Sequence, residues 1–376
     1  MVCNIFIVSL GEWKNIVAYY KNYVKYTRWG ILLKPYRLKP GSKIAIISPS
    51  SGLPHIYPEI YALGLKNLKN ALDIDVIEMP SARMDPNNLS KNPRLRAEDI
   101  NMCFSDETID GIITSIGGHE SLSILPFLDP DIIINNPKFI MGFSDATTFL
   151  CYINQLGVVT FYGPSVMAGF AQINNLPFEF REHLKAFLFY NSFPYRYSPY
   201  KKWTDGYRNW SDLDRLGECN PFFESEGWTF LQGNNITQGY IWGGCLEVLK
   251  LMQASQYWPN KDFWKDKVLI IETSLEKPTP NQIVNPLRSL GMDGIFSKIQ
   301  GIIIGRVKGY NSQESQKLNY SIINVIREQF GAKHIPIIVD FNFGHTDPKL
   351  ILPIGCKVEI NPLNNEISLL ESPFLN

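Results

Sequence analysis

The chain has 376 residues, 45% of them hydrophobic and 13% aromatic, and a chain of this length is expected to form two domains rather than one. Lys and Arg together number 36, as do Asp and Glu, so the formal net charge is zero. A neutral chain has no global positive field to hold nucleic acid or an anionic membrane, and we therefore predict neither as a partner.

Regular structure is predicted from residue 36 onward, whereas residues 1–35 look like an extension to which the sequence assigns no role. Apolar runs of strand length, such as 43–52, 111–118 and 138–143, alternate with segments that carry apolar residues at helical spacing. Alternating strands and helices predict a parallel sheet that is covered on both faces. We therefore expect an N-terminal Rossmann-like domain over residues 36–185.

The segment 186–237 interrupts this pattern, because it is aromatic, rich in Pro and Gly, and has no sustained period. A loop this long is usually either functional or disordered, and its aromatic content argues against disorder. We predict a linker that also covers the substrate. Its candidate substrate contacts are Trp203, Trp210 and Trp228.

A second and smaller α/β domain is predicted over residues 238–376. Strands are expected at 267–274 and 301–307, a strand running into a loop at 335–348, a helix at 243–252, and a β-hairpin in the tail. The predicted fold class is thus α/β, with a parallel-sheet domain followed by a smaller domain that ends in a hairpin.

Cysteine and histidine residues are scattered along the chain. There are six cysteines with no CxxC pair, and five histidines with no metal-ligand spacing. We predict no metal and no cofactor. Dispersed cysteines in a chain of this size fit a reducing compartment.

Polar side chains follow several predicted strands, at the edge where open α/β sheets bind their ligands. Ser144, Glu272 and His345 each stand at such a strand end, and together they make the component set of a hydrolytic triad. The order Ser, Glu, His along the chain is that of α/β-hydrolases. The stretch GFSDA around Ser144 differs from their GxSxG elbow only in its last residue.

Each of these residues also has a structural interpretation. Ser144 could cap the following helix, Glu272 could pair with Lys277, and His345 could bond backbone in a loop. Should Glu272 point elsewhere, Glu276 or Asp347 would be the next candidate.

A second histidine, His119, competes with His345 as the base. It adjoins the turn Gly117-Gly118, which is better suited to an oxyanion hole. Backbone N–H groups at this turn and at Asp145 would stabilise a developing oxyanion.

Seven segments of the chain occur in the order seen in a known family, and together they span roughly residues 36–372. They are LKPGSKIAIISPSS, GIITSIGGHESLSILPFLD, KFIMGFSDATTFL, WGGCLEVL, VLIIETSLEKPTP, GIIIGRV and IPIIVDFNFGHTDPKLILPIG. The chain resembles the LD-carboxypeptidase family of serine peptidases, in the branch that contains microcin C self-immunity peptidases.

The resemblance implies a cytoplasmic, metal-free and usually homodimeric peptidase that acts on a small peptide-like substrate. It implies that Ser144 is the nucleophile, His345 the general base and acid, and Glu272 the residue that orients His345. The implied oxyanion donors are the backbone N–H groups of Gly118 and Asp145.

The chain departs from the family where His119 and Glu120 follow the two glycines, a place where a pair such as Tyr-Asn is expected. Both are candidate substrate-binding residues. The long aromatic segment is typical of the branch in which a tryptophan stacks on a nucleobase, although each tryptophan could equally pack the segment. Two substrates therefore compete: a murein L,D-tetrapeptide and a peptidyl or aminoacyl nucleotide. The alternative function is a non-catalytic small-ligand binding protein.

Overall fold

The computed structural model describes residues 32–190, 192–274 and 277–375, so most of the predicted extension 1–35, and also Glu276, lie outside the described residues. The strands are β1 (Lys43–Ile47), β2 (Asp75–Glu78), β3 (Gly111–Thr114), β4 (Phe139–Gly142), β5 (Thr160–Tyr162), β6 (Tyr195–Arg196), β7 (Lys202–Thr204), β8 (Phe222–Glu224), β9 (Thr229–Gln232), β10 (Thr237–Cys245), β11 (Lys267–Glu272), β12 (Gly301–Gly305), β13 (Ile337–Phe341), β14 (Leu352–Ile354), β15 (Lys357–Asn361) and β16 (Glu366–Leu369).

The α-helices are α1 (Leu53–Ile56), α2 (Pro58–Leu72), α3 (Pro86–Lys91), α4 (Pro93–Ser105), α5 (Pro130–Asn135), α6 (Thr147–Gln155), α7 (Phe178–Lys185), α8 (Leu246–Gln253), α9 (Pro280–Met292) and α10 (Ser312–Ile323). In the three described ranges, no helix combines the length and the apolar character that a membrane crossing needs.

Six strands of the described chain form the first sheet, in the order β14-β5-β4-β3-β1-β2. All neighbours are parallel except β14, which runs antiparallel to β5. Strands β3 and β4 are buried along their whole length, as expected for a parallel sheet covered on both faces. This sheet confirms the predicted α/β class of the N-terminal half.

The second sheet has the order β6-β16-β15-β10-β11-β12-β13-β9 among the described strands. Its centre, β10 to β13, is parallel, and β15 and β16 form the predicted hairpin in the tail. The predicted helix at 243–252 is wrong at its start, because β10 continues through Cys245. Gly243 has φ +132°, and a Cβ there would lie 2.1 Å from the carbonyl oxygen of Ile270, so glycine permits the close approach of β10 to β11.

The aromatic segment 186–237 carries more regular structure than its sequence indicates. β9 forms one edge of the second sheet and β6 the other, while β7 and β8 pair with each other. The segment therefore wraps the second sheet rather than simply linking two domains.

The chain returns from the second sheet to the first between β13 and β14. β13 lies in the second sheet, whereas β14 pairs with β5, with Leu352 opposite Tyr162. The loop that joins β13 to β14 contains His345. Its two ends are therefore fixed to different sheets.

A buried histidine supports this return strand. The Ile351 N–H donates to His183 Nε2 at 3.0 Å, and His183 Nδ1 lies 2.8 Å from the Tyr195 hydroxyl. Because an amide can only donate, Nε2 must be the unprotonated nitrogen. Burial lowers the pKa of His183 from 6.5 to about 3, so the native protein keeps this imidazole neutral.

We expect His183 to make the fold sensitive to acid. The unfolded chain binds a proton at this residue below pH 6.5, whereas the native state does so only near pH 3, so stability falls as the pH drops between these values. From pH 7 to pH 5 this residue should remove about 2 kcal/mol from the free energy of unfolding. Urea unfolding of the wild type and of His183→Gln at pH 7 and pH 5 would measure this change in the free energy of unfolding.

The loss of unfolding free energy between pH 7 and pH 5 should be smaller in His183→Gln than in the wild type. It should equal the wild-type loss in His334→Gln, which alters an exposed histidine. An equal pH dependence in all three proteins would contradict the assignment.

Candidate active site

Ser144 lies directly after β4, at the start of a short 3-10 turn that leads into α6. Its backbone is left-handed, with φ +61°, a conformation that costs energy for a residue other than glycine. The Thr147 hydroxyl donates to the Ser144 carbonyl at 2.6 Å and accepts from the Cys245 N–H at 2.9 Å. The sharp turn is thus held from the second sheet as well as from the first.

His345 brings the predicted triad together. Its Nε2 lies 3.1 Å from Ser144 Oγ, and its Nδ1 lies 2.7 Å from Glu272 Oε2. The edge of the imidazole packs against Phe143, with 5.1 Å between ring centres. The three side chains form a continuous chain of contacts without any movement of the two sheets.

Glu272 ends β11 and is 1% exposed. Two glycines leave room for it, since a Cβ on Gly344 would lie 2.5 Å from Oε2 and one on Gly305 would lie 2.8 Å from the Glu272 Cβ. Burial alone would raise the pKa of Glu272. The charge of His345, hydrogen bonds from His345 and Tyr162, and the charge of Lys349 outweigh burial and hold this pKa below its ordinary value. The carboxylate is therefore ionised at neutral pH.

Lys277 is the alternative partner of Glu272 and Asp347 is the alternative orienting carboxylate, and both are engaged elsewhere. Lys277 pairs with Glu314 at 3.0 Å, and Asp347 pairs with Lys349 at 2.5 Å, with both members of the second pair buried. The structural interpretation of Glu272 as a partner of Lys277 is therefore wrong.

The turn Gly117-Gly118 packs directly against Ser144. A Cβ on Gly117 would lie 2.9 Å from the Ser144 Cβ and 3.4 Å from the Asp145 nitrogen, and one on Gly118 would lie 2.4 Å from Ser50 Oγ. Only glycine fits this approach. Gly117, which precedes the predicted oxyanion donor Gly118, thus lies beside Ser144, and the other predicted donor, Asp145, follows Ser144 in the chain.

The side chain of Asp145 is 1% exposed, and its partners lie outside the triad. Its carboxylate accepts hydrogen bonds from the Ser121 N–H at 2.8 Å and from the Ser50 hydroxyl. The Ser121 hydroxyl donates to the Asp145 carbonyl at 2.5 Å. Asp145 therefore fixes the turn that carries its own N–H, and this fits the predicted use of its backbone.

His119 and Glu120 lie to one side of this turn. His119 is exposed, and it lines an open pocket of about 410 Å³ with Glu120, Ser90 and two neighbours. Glu120 accepts from the Ser90 hydroxyl at 2.8 Å and lies 3.6 Å from the buried Arg96 guanidinium. The histidine that contacts Ser144 is His345, and a role of His119 and Glu120 in substrate binding stays a prediction.

The aromatic segment contacts both sides of the loop that carries His345. Thr204 and Asp347 exchange two backbone hydrogen bonds, of 2.7 and 3.0 Å. On the other side, the Trp228 indole N–H donates to Asn342 Oδ1 at 2.8 Å. The segment therefore braces this loop, and Trp228 has a structural partner.

The other two predicted tryptophans are also packed. The ring centres of Trp203 and Phe223 are 4.8 Å apart, and the Arg306 guanidinium lies over the Trp203 ring, 4.6 Å from its centre. Trp210 stacks on Tyr207 at 4.9 Å, and its buried indole N–H has no partner among the described residues. Substrate contact by any of the three stays a prediction.

Sequence reasoning missed Tyr162. Its hydroxyl accepts from the Ser144 N–H at 2.9 Å and donates to Glu272 Oε1 at 2.6 Å. The available signal was its place at the carboxyl end of β5, beside the nucleophile strand, the same signal that indicated the triad.

No group of three or more His, Cys, Asp or Glu side chains in the described ranges is placed to hold a metal ion. The five cysteines that can be described, Cys103, Cys151, Cys219, Cys245 and Cys356, are free thiols.

Known proteins match this chain over both halves of the site. The profile of the LD-carboxypeptidase N-terminal domain matches residues 44–163, and that of the C-terminal domain matches residues 238–360. The chain belongs to the LD-carboxypeptidase family. This confirms the resemblance, and the two matched regions contain Ser144 and the pair Glu272 and His345 respectively.

Relatives within the LD-carboxypeptidase family cover most of the chain. A putative carboxypeptidase of Vibrio cholerae is 30% identical over 88% of this chain and 96% of its own length. The microcin C7 self-immunity protein MccF of Escherichia coli is 30% identical over 73% of this chain and 78% of its own. The solved structure of MccF in complex with glutamyl sulfamoyl guanosine superposes with a TM-score of 0.79 at 26% identity, covering 91% of this chain and all of that one. These matches confirm the α/β fold.

Proposed function

We propose that this protein is a serine peptidase that hydrolyses an amide bond in a small peptide-like substrate through an acyl-enzyme on Ser144. The observation that supports this most strongly is the chain of contacts from Ser144 Oγ to His345 Nε2, 3.1 Å, and from His345 Nδ1 to Glu272 Oε2, 2.7 Å. A binding protein has no need of these three groups in a line, which favours an enzyme over the non-catalytic alternative. Dimerisation and a cytoplasmic location stay predictions of the family resemblance.

Acylation begins when Ser144 Oγ attacks the substrate carbonyl carbon while His345 Nε2 takes the hydroxyl proton. The Glu272 carboxylate accepts the Nδ1–H bond, so it keeps the imidazole in the productive tautomer and stabilises the imidazolium. His345 then returns the proton to the leaving amine. Deacylation repeats these steps with water as the nucleophile and restores the Ser144 hydroxyl.

The developing oxyanion needs donors aimed at it, and we assign this role to the backbone N–H groups of Gly118 and Asp145. The fit of Gly117 against Ser144 and the hydrogen bonds that hold Asp145 support the assignment. The N–H of Ser144 itself donates to Tyr162 and is therefore not available.

For the substrate we favour an aminoacyl or peptidyl nucleotide over a murein L,D-tetrapeptide. The MccF relative is a microcin self-immunity protein, and its solved complex contains an aminoacyl sulfamoyl nucleoside. The aromatic segment, bonded to the loop that carries His345, supplies flat side chains near the site that suit a nucleobase.

Product analysis tests the function directly. Purified protein would be given glutamyl sulfamoyl adenosine and, separately, a murein tetrapeptide, and products would be identified by mass spectrometry. We expect release of the amino acid from the first substrate. Hydrolysis of the tetrapeptide alone would favour the murein carboxypeptidase, and stoichiometric binding without hydrolysis of either would favour the binding protein.

Trp210 gives a sharper test of substrate class, because its indole N–H has no partner among the described residues. If Trp210 stacks on a base, Trp210→Ala should raise KM for the sulfamoyl nucleotide about tenfold, from stacking of about 1–3 kcal/mol, and change KM for a murein peptide less than about twofold. Steady-state kinetics on both substrates would measure this.

The matched comparison is Trp228→Phe, which keeps an aromatic ring but removes the indole N–H donated to Asn342 together with part of the indole. Because that hydrogen bond braces the loop that carries His345, its loss should change the kinetic constants for both substrates by the same factor. If Trp210→Ala raised KM equally for both substrates, Trp210 would have a packing role, like Trp228.

A further inference from the structure

The hydroxyl of Tyr162 stands between the backbone of the candidate nucleophile and the carboxylate that orients the candidate base. It lies 2.9 Å from the Ser144 nitrogen and 2.6 Å from Glu272 Oε1. Tyr162 belongs to the first sheet, Ser144 follows strand β4 of that sheet, and Glu272 belongs to the second sheet, so this oxygen joins the two sheets at the site.

The two hydrogen bonds have fixed directions. The Ser144 N–H can only donate, so the tyrosine oxygen accepts from it, and the phenolic proton is then directed to Glu272. Burial, together with the nearby Glu272 charge, keeps the pKa of Tyr162 well above its ordinary value, so the hydroxyl retains the proton that it must donate. Glu272 thus receives one hydrogen bond on each oxygen, from Tyr162 on Oε1 and from His345 on Oε2.

The ring of Tyr162 has little freedom to move. It is 1% exposed, its edge meets Phe343 at 5.9 Å, and a Cβ on Gly244 would lie 2.8 Å from its Cε2. Its strand is held between β4 on one side and β14 on the other. A rigid ring in a fixed strand can define the position of its hydroxyl closely.

We propose that Tyr162 is a positioning residue for the peptidase reaction, which holds Ser144 in its left-handed conformation and sets the strength of the hydrogen bond that Glu272 accepts from His345. Tyr162 does not touch the substrate in this arrangement. The proposal rests on the proposed function for its kinetic consequences, but the hydrogen-bond relay itself can be tested without turnover.

The kinetic test is Tyr162→Phe, which removes only the hydroxyl. Loss of the support of Ser144 should lower kcat about 10- to 30-fold, the effect of one lost oriented hydrogen bond to a charged network, while KM stays within about twofold. Loss of the donor to Glu272 leaves more negative charge on the oxygen that faces His345, which favours the imidazolium. The acidic limb of the kcat/KM profile should therefore move to higher pH, by roughly half a pH unit.

Tyr197→Phe is the matched control. Tyr197 is also a buried tyrosine, and its hydroxyl donates to the backbone carbonyl of Ile351 at 3.0 Å, outside the triad. Tyr197→Phe should lose about as much stability as Tyr162→Phe. Its kcat and the acidic limb of its kcat/KM profile should be those of the wild type. If both variants lowered kcat equally, or if Tyr162→Phe left kcat within about threefold and the limb unmoved, the proposal would be overturned.

Two further measurements keep the test decisive. Replacing Tyr162 by 3-fluorotyrosine makes the hydroxyl a better hydrogen-bond donor and leaves the shape of the side chain almost unchanged. The acidic limb of the kcat/KM profile should then move to lower pH, the opposite of the shift in Tyr162→Phe. A shift to higher pH in the fluorinated protein would overturn the proposal. Proton NMR of the His345 Nδ1–H needs no substrate. Its resonance should shift in Tyr162→Phe and not in Tyr197→Phe, and an unshifted resonance refutes the relay even if the wild type hydrolyses neither substrate.

Discussion

Replacing Ser144 by alanine should lower kcat by at least about 10⁴-fold, because no acyl intermediate can then form. The hydroxyl removed contributes one contact, to His345, so the free energy of unfolding should change by less than about 1 kcal/mol. Product release would be followed by chromatography, and folding by thermal denaturation of the same samples. Incubation with substrate followed by intact-protein mass spectrometry should show an acyl adduct in the wild type only.

Ser51→Ala is the matched control, since Ser51 lies at the same sheet edge and donates to the Gly117 carbonyl at 2.5 Å. It should lose activity by less than about tenfold, the cost of a lost neutral hydrogen bond. Near-wild-type turnover by Ser144→Ala would eliminate the acyl-enzyme mechanism.

The second large effect is expected for Glu272→Gln, about 10³- to 10⁴-fold in kcat. The glutamine oxygen can still accept from Tyr162, which leaves its NH₂ group facing His345 Nδ1. Two N–H groups cannot face each other, so His345 would carry its proton on Nε2 instead. In that tautomer it cannot accept the proton of Ser144.

Glu247→Gln provides the comparison, because Glu247 is a neighbouring carboxylate that accepts from the Ser274 N–H at 3.2 Å and lies outside the triad. Its activity should stay within about threefold of the wild type. An active Glu272→Gln combined with an inactive Asp347→Asn would transfer the orienting role to Asp347.

The strands that carry the site could be predicted from the sequence because each is a short apolar run that ends in polar residues. In a parallel sheet all such ends meet at one edge, so Ser144 could be placed with its neighbours, and the matching edge of the second sheet supplied Glu272 and His345. These predictions needed only local patterns and one general rule of topology.

Contacts that depend on distant partners could not be predicted in this way. Gly243 and Gly244 looked like a turn before a helix, yet they lie in β10, where the carbonyl of Ile270 and the ring of Tyr162 approach too closely for any side chain. Tyr162 stands at a strand end, as Glu272 does, but this position alone does not indicate its partner. Its role depends on Glu272, 110 positions away, and no local pattern records such a pairing.

The aromatic segment could not be predicted for a related reason. Its side chains bind to residues far along the chain, as Trp228 does to Asn342, 114 positions later. Composition showed that the segment is ordered, but periodicity did not reveal strands as short as β6 and β7, of two and three residues.

The pairing of β14 with β5 bears on how the molecule is built during translation. A ribosome releases the strand of Tyr162 roughly 190 residues before its partner Leu352, so until then the nascent first sheet has an unpaired border at β5. His345 leaves the ribosome only a few residues ahead of that closing strand. Ser144 and His345 can therefore come into contact only at about the time when β14 completes the first sheet.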